Sequence, residues 1–278
     1  MNDVSNRIGV CSWSLKPASP EDLARHVKVL GIGRVQLALS PMVTDPDTWG
    51  SAFDVLREAG IQVVSGMFSP IGEDYSTLDT IRVTGGIVPD KHWDANLAMA
   101  TKIAAIAKRE HIKAVTFHAG FVPHDHTDPS YARLRDRLVT LAKVFADAGC
   151  DLLLETGQET ADDLTKFLDA VDQTNVGVNF DPANMILYGK GDPIEAVSKL
   201  IARVKNVHIK DATASAKPGE WGAEVPAGTG AVDWKRFFRV LNDASYTGYL
   251  VIEREAGDDR PGDIAKARQM VLKHLAGA

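Results

Sequence analysis

Glu155, Asp181, His208 and Glu253 close four successive apolar runs in the second half of the chain: Asp151-Leu-Leu-Leu, Gly177-Val-Asn-Phe, Lys205-Asn-Val and Tyr249-Leu-Val-Ile. Acids are poor strand formers, so three carboxylates at the ends of strand-like runs call for a reason outside the sheet. Carboxylates mixed with one imidazole suit a hard or borderline divalent cation, Mn²⁺, Mg²⁺ or Co²⁺, with Zn²⁺ also accommodated; they do not suit a thiolate-seeking one. Beside a carbonyl, such a cation stabilises the negative charge left when the neighbouring carbon loses its proton. Two carboxylates on opposite walls, Glu155 and Glu253, would serve as base and acid around that carbon.

Residues spaced in this way need a scaffold that brings successive strand ends to one place. Each gap between them holds about one strand–helix unit, and the same alternation runs through the rest of the chain. Strands are expected at 8–13, 34–39, 61–67, 114–118, 151–155, 176–180, 204–209 and 249–253. Helices are expected between them, among them 93–110, 131–148, 161–171, 193–202 and 233–241, with a last one at 263–275. Eight such units in 278 residues predict an α/β fold, a single (β/α)₈ TIM barrel spanning residues 1–278. With a side-chain period of two, Asn206, His208 and Lys210 share one face while Val207 and Ile209 share the other. The polar face should look into the barrel. Two long connections stand out, 68–90 and 212–232, and loops of that size in a compact domain are more often functional than idle.

The segments Leu154-Glu155-Thr156, Phe180-Asp181-Pro182-Ala183-Asn184, His208-Ile209-Lys210-Asp211 and Ile252-Glu253-Arg254 resemble the motifs of the sugar phosphate isomerase/epimerase superfamily, the xylose isomerase-like barrels. Within it, the ketose 3-epimerases hold one Mn²⁺, Co²⁺ or Mg²⁺ through Glu, Asp, His and Glu in this order. The resemblance implies that Glu155, Asp181, His208 and Glu253 are the ligands and that Glu155 and Glu253 form the acid–base pair. It implies a metal-dependent isomerase or epimerase of a small sugar or keto-sugar. A dehydratase or lyase on a keto-cyclitol or 3-keto-sugar is the alternative, because it begins with the same deprotonation. One departure is clear: epimerases usually place a His where this chain has Asn184, and an amide binds but does not carry a proton.

Further candidates for substrate binding are His118 at the end of the fourth strand, Glu159 four residues beyond Glu155, Asn184, Lys210, and the two tryptophans Trp13 and Trp221. The tryptophans suit stacking on a sugar ring. The His124-Asp125-His126 stretch is read as a solvated loop and Gly228-Thr-Gly230 as a turn. A net charge of −6 without a long basic run argues against nucleic acid as a partner, and hence against an abasic-site endonuclease. A sugar-binding barrel without catalysis would not need both glutamates. The polar N-terminus and the lack of a long apolar run predict no membrane association and a cytoplasmic protein, for which a homo-oligomer is compatible. Cys11 and Cys150 are not in a CxxC pair and read as reduced, buried thiols.

Overall fold

The structure is a computed structural model in which residues 4–217 and 219–276 are described. Eight parallel strands close into a barrel: β1 (Ile8–Cys11), β2 (Arg34–Ala38), β3 (Gln62–Met67), β4 (Ala114–Phe117), β5 (Asp151–Glu155), β6 (Val176–Phe180), β7 (Val204–Ile209) and β10 (Tyr249–Ile252), with β10 pairing both β7 and β1. Two short strands, β8 (Asp211–Thr213) and β9 (Ala223–Val225), form a separate antiparallel hairpin after β7. The expected (β/α)₈ architecture is therefore present. Helices ring the barrel and bury one apolar stripe each, as with Leu134, Leu138, Leu141 and Phe145 of Pro129–Ala146. Their starts follow local chemistry: Ser19, Thr160, Asp192 and Asp233 each accept a hydrogen bond from a first-turn N–H.

The barrel differs from the sequence reading where side chains compete with the ladder. The first strand stops at Cys11 instead of Trp13, and Ser12–Leu15 forms a 3₁₀ turn. Ser12 Oγ accepts from Ala38 N–H at 2.9 Å and Ser14 Oγ from Arg254 N–H at 3.0 Å. These two hydroxyls tie the turn to β2 and to the segment after β10, and they carry Trp13 over the barrel mouth. The long loop after β3 contains a helix, Leu78–Thr84, started by a reciprocal Thr77–Thr80 capping box. A further short helix, Pro182–Leu187, follows β6 directly, because Asp181 caps it and Pro182 suits its first position.

The loop after β7 is organised by one carboxylate. Asp211 accepts hydrogen bonds from the N–H groups of Ala212, Gly228, Gly230 and Val232 and from Trp234 Nε1, at 2.9 to 3.2 Å. The Gly228–Gly230 stretch is thus a turn wrapped on Asp211, and its N–H groups are already used.

Candidate metal centre and active site

Strand parity sends Glu155, Asn179, Asn206, His208 and Val251 into the barrel, and each is 5% exposed or less. Asp181 and Glu253 follow the last residues of β6 and β10 and are buried beside them. One donor atom from each of Glu155, Asp181, His208 and Glu253 lies within 4.8 Å of the others. His208 Nδ1 is 3.4 Å from Glu155 Oε1, 3.4 Å from Glu253 Oε2 and 3.8 Å from Asp181 Oδ2. The four residues singled out from sequence therefore converge on one point.

Burial of three carboxylates together is costly unless charge compensates it. For Asp181, burial dominates over the opposing pull of Lys210 and raises its carboxyl to about 6. Burial also opposes ionisation of Glu155, but His208 and His118 outweigh it, and the carboxyl lies below its ordinary value. Glu253 is likewise opposed by burial and held well below the ordinary value by Lys210 and His208. Burial would lower His208, yet Cys11, Glu155 and Glu253 together hold it well above the usual imidazole range.

The residues present fit a divalent cation. Asp181 Oδ1 caps the following helix through the N–H groups of Ala183 (2.8 Å) and Asn184 (3.0 Å), whereas its Oδ2 is buried with no hydrogen-bond partner. A buried carboxylate oxygen left without a donor, facing two other carboxylates and an imidazole nitrogen, is chemically suited to ligate a divalent cation.

Around this cluster the polar contacts are ordered. Glu155 Oε1 accepts from Asn184 Nδ2 at 3.0 Å, and Oε2 from Asn179 Nδ2 at 3.2 Å, which in turn is held by Asn206 (2.7 Å). Gly157 makes the approach of Asn184 feasible: its φ is 137°, and a Cβ there would stand 2.5 Å from Asn184 Cβ. Glu253 Oε1 accepts from Trp13 Nε1 at 2.7 Å and its Oε2 from Lys210 Nζ at 2.9 Å. Lys210 also reaches Glu255 at 2.8 Å. His118 Nε2 lies 3.8 Å from Glu155 Oε1, and its Nδ1 is buried without a partner.

The cluster opens into a cavity of about 670 Å³, in the range that binds small organic ligands. Trp13, His118, Asn184, Lys210 and Trp221 all line it, as do Glu155 and Glu253. Glu159 does not. It is buried beside Lys190, away from the cavity lining, and burial raises its carboxyl to about 8. It is thus not among the residues that the structure brings to the cavity. The His124 stretch is solvated, with His124 two-thirds exposed and paired to Asp163 at 2.8 Å. Sequence reasoning did not single out Glu73, Tyr75, Tyr188, Glu224 or Glu255, which also line the cavity. Glu73 and Tyr75 lie in the loop flagged by its length, which was the available signal.

The profile of the xylose isomerase-like TIM barrel family matches residues 27–274. The chain belongs to that family. The xylose isomerase domain protein of Planctomyces limnophilus superposes with a TM-score of 0.84 at 32% identity, over 96% of both chains. A xylose isomerase-like barrel of Mycobacterium smegmatis, solved in complex with magnesium, shares the fold with a TM-score of 0.72 at 21% identity, over 98% of this chain and 97% of that one. Among curated proteins, the inosose dehydratase of Clostridium perfringens is 26% identical over 186 residues, 59% of this chain and 61% of that protein. This chain thus spans about three fifths of that relative's length. No helix among the described residues is long and apolar enough to cross a membrane.

Proposed function

We propose that this protein is a divalent-metal-dependent enzyme that removes the proton beside the carbonyl of an uncharged, polyhydroxylated ketone, a keto-sugar or keto-cyclitol. The observation that carries the reading is the buried Glu155–Asp181–His208–Glu253 cluster, with its unpartnered Asp181 oxygen, at the floor of a ligand-sized cavity. A cation held by those four residues would supply Lewis-acid stabilisation of the charge that develops on the ketone oxygen. Magnesium in the Mycobacterium smegmatis barrel is in keeping with a hard divalent ion, Mn²⁺, Mg²⁺ or Co²⁺.

Charge on the cavity wall supports an uncharged substrate. Lys210 is the one lysine or arginine lining it among the described residues, and Glu253 and Glu255 already engage its ammonium. Glu73 and Glu224 add acid to the same wall. A phosphate or carboxylate would meet repulsion from these carboxylates, with no unengaged lysine or arginine among the described lining residues to offset it.

The two glutamates differ in their readiness to move a proton. Glu155 is oriented by amide donors and has His118 beside it, so both can act on one face of the substrate. Glu253 is clamped by an indole N–H and an ammonium, which keep it ionised. Proton transfer on a single face supports loss of water: Glu155 takes the C–H proton, its electron pair becomes the new C=C bond, and the neighbouring hydroxyl leaves as water with a proton from His118. The name of the Clostridium perfringens relative agrees with this outcome. Epimerisation or isomerisation is the second reading, favoured by the position of Glu253 across the cluster from Glu155, and it requires Glu253 to deliver the returning proton.

The test is a panel of free ketoses, keto-inositols and 3-keto-glucosides, with phosphorylated counterparts, incubated with manganese-loaded protein in D₂O and followed by NMR. Deuterium beside the carbonyl with loss of water supports dehydration, and deuterium with an inverted or shifted hydroxyl supports epimerisation or isomerisation. Turnover without solvent deuterium, and only with added nicotinamide, would remove the deprotonation step altogether.

A further inference from the structure

Gln36 interrupts the apolar strand β2 between Val35 and Leu37, and its side chain is fully buried on the barrel's inner face. An amide in that position must find partners for four hydrogen-bonding sites or destabilise the barrel. Its Oε1 lies 2.7 Å from His208 Nε2 and 3.5 Å from Cys11 Sγ. Its Nε2 donates to Thr116 Oγ1 at 2.8 Å and reaches Gly66 O at 3.4 Å. The orientation follows from the partners. Gly66 O only accepts, so the amide nitrogen faces it, and the amide oxygen is left to face His208.

We infer that Gln36 is a positioning residue for the metal centre: it holds the proton on His208 Nε2 and presents Nδ1 as the ligating nitrogen. The shortest contact of Nε2 is this acceptor at 2.7 Å, which selects Nε2 as the protonated nitrogen over the longer approach of the Asn179 amide nitrogen, 3.2 Å from Nε2 and 3.4 Å from Nδ1. The other nitrogen, Nδ1, is the one facing the oxygens of Glu155, Asp181 and Glu253. Thr116 completes the arrangement from β4. Its hydroxyl accepts from Gln36 and can donate to Met67 Sδ at 2.8 Å, so the amide cannot rotate without breaking a buried contact. The barrel's first half, which supplies none of the four candidate ligands, thereby sets the geometry of the imidazole in the second half. An outer acceptor on a metal-bound histidine typically changes metal affinity by roughly 10–100-fold.

This inference rests on the metal reading given under Proposed function, and the test separates the two. Manganese is titrated by calorimetry into the wild-type protein and into Gln36→Leu and Gln36→Glu, with melting curves taken in chelator to report folding. Leucine removes the acceptor, whereas glutamate keeps an oxygen toward His208. The expected result is affinity lower by roughly 10–100-fold in Gln36→Leu and within about threefold of wild type in Gln36→Glu. A purely structural role would shift the melting curves of the variants without this split in affinity. Equal affinity in Gln36→Leu and wild type overturns the inference while leaving the metal site intact. A wild-type protein that takes up no cation overturns both. Should Gln36→Leu fail to fold, histidine nitrogen NMR of cadmium-loaded wild-type protein decides: cadmium on Nδ1 with a proton on Nε2 is expected, and cadmium on Nε2 refutes it.

Discussion

Asp181→Asn separates what the fold needs from what a cation needs. The amide keeps an oxygen for the N–H groups of Ala183 and Asn184, so the cap of the Pro182–Leu187 helix survives. It replaces the unpartnered Oδ2 with an NH₂ group, which cannot ligate. In the metal-free protein the exchange should stabilise. A carboxyl raised from 3.8 to about 6 costs the folded state on the order of 3 kcal/mol at neutral pH. The sign follows from linkage: the unfolded carboxyl ionises first, so the penalty is absent below pH 3.8, grows as pH rises to about 6 and is then constant. At roughly 2–4 °C per kcal/mol for a chain of this size, Asp181→Asn should melt roughly 6–12 °C above wild type in chelator at neutral pH. Manganese at a hundredfold excess over its Kd should add about 2.7 kcal/mol to wild type and little to the variant, closing or reversing the order. Thermal melts of both proteins, with chelator and with manganese, measure all four quantities. If the variant melts below wild type in chelator, Asp181 is held by a protein partner after all. If it gains as much as wild type from manganese, Asp181 is not a ligand.

Glu155→Gln should lower solvent-deuterium exchange into a verified substrate by roughly 10²–10⁴-fold, the usual worth of a positioned base, and unchanged exchange would move that role elsewhere. Lys210→Met leaves Glu253 buried without its ammonium and should cost about 3–5 kcal/mol in urea denaturation of the metal-free protein. Because Lys210 and His208 hold the Glu253 carboxyl low, its contribution to stability is present above pH 4.5 and fades as pH falls; in Lys210→Met this acid loss should begin at higher pH. Glu159, raised to about 8 by burial, contributes stability that is present below pH 4.5 and lost as pH rises through about 8. Glu159→Gln should therefore flatten the decline in stability between pH 4.5 and about 8 in denaturation curves, and an unchanged decline would mean that Glu159 ionises freely.

The four clustered residues were legible because an acid closing an apolar run is anomalous on propensity grounds, and strand alternation decides which way it points. Asn206 and Lys210 followed from the same parity, and Trp13 and Trp221 from their type. Glu224 lay in the long connection 212–232 but was not picked out within it, and Glu255 was not legible, because their place at the cavity depends on how the β8–β9 hairpin and the segment after β10 fold back, which periodicity does not encode. Gln36 carried a signal that was passed over, a lone amide inside an apolar strand. Its partner His208 is 172 residues away, so only closure of the barrel reveals the pairing. Glu159 shows the converse: spacing from Glu155 pointed to the cavity, but the residue is buried beside Lys190 and does not line it.

The hub at Asp211 has a consequence for how this protein can change. Three residues beyond His208, at the start of β8, stands the carboxylate that gathers the base of the covering loop, while among the described residues of the stretch 214–222, which carries Trp221 to the cavity, none takes part in that anchoring. On the function proposed above, chemistry and selectivity would therefore rest on separate parts of the chain. Changes in length or composition between the hairpin strands are expected to alter which ketone is admitted under that proposal, while the docking point and the cluster beneath it stay as they are. A mutation at Asp211 has the opposite character, since it would loosen every version of that stretch at once.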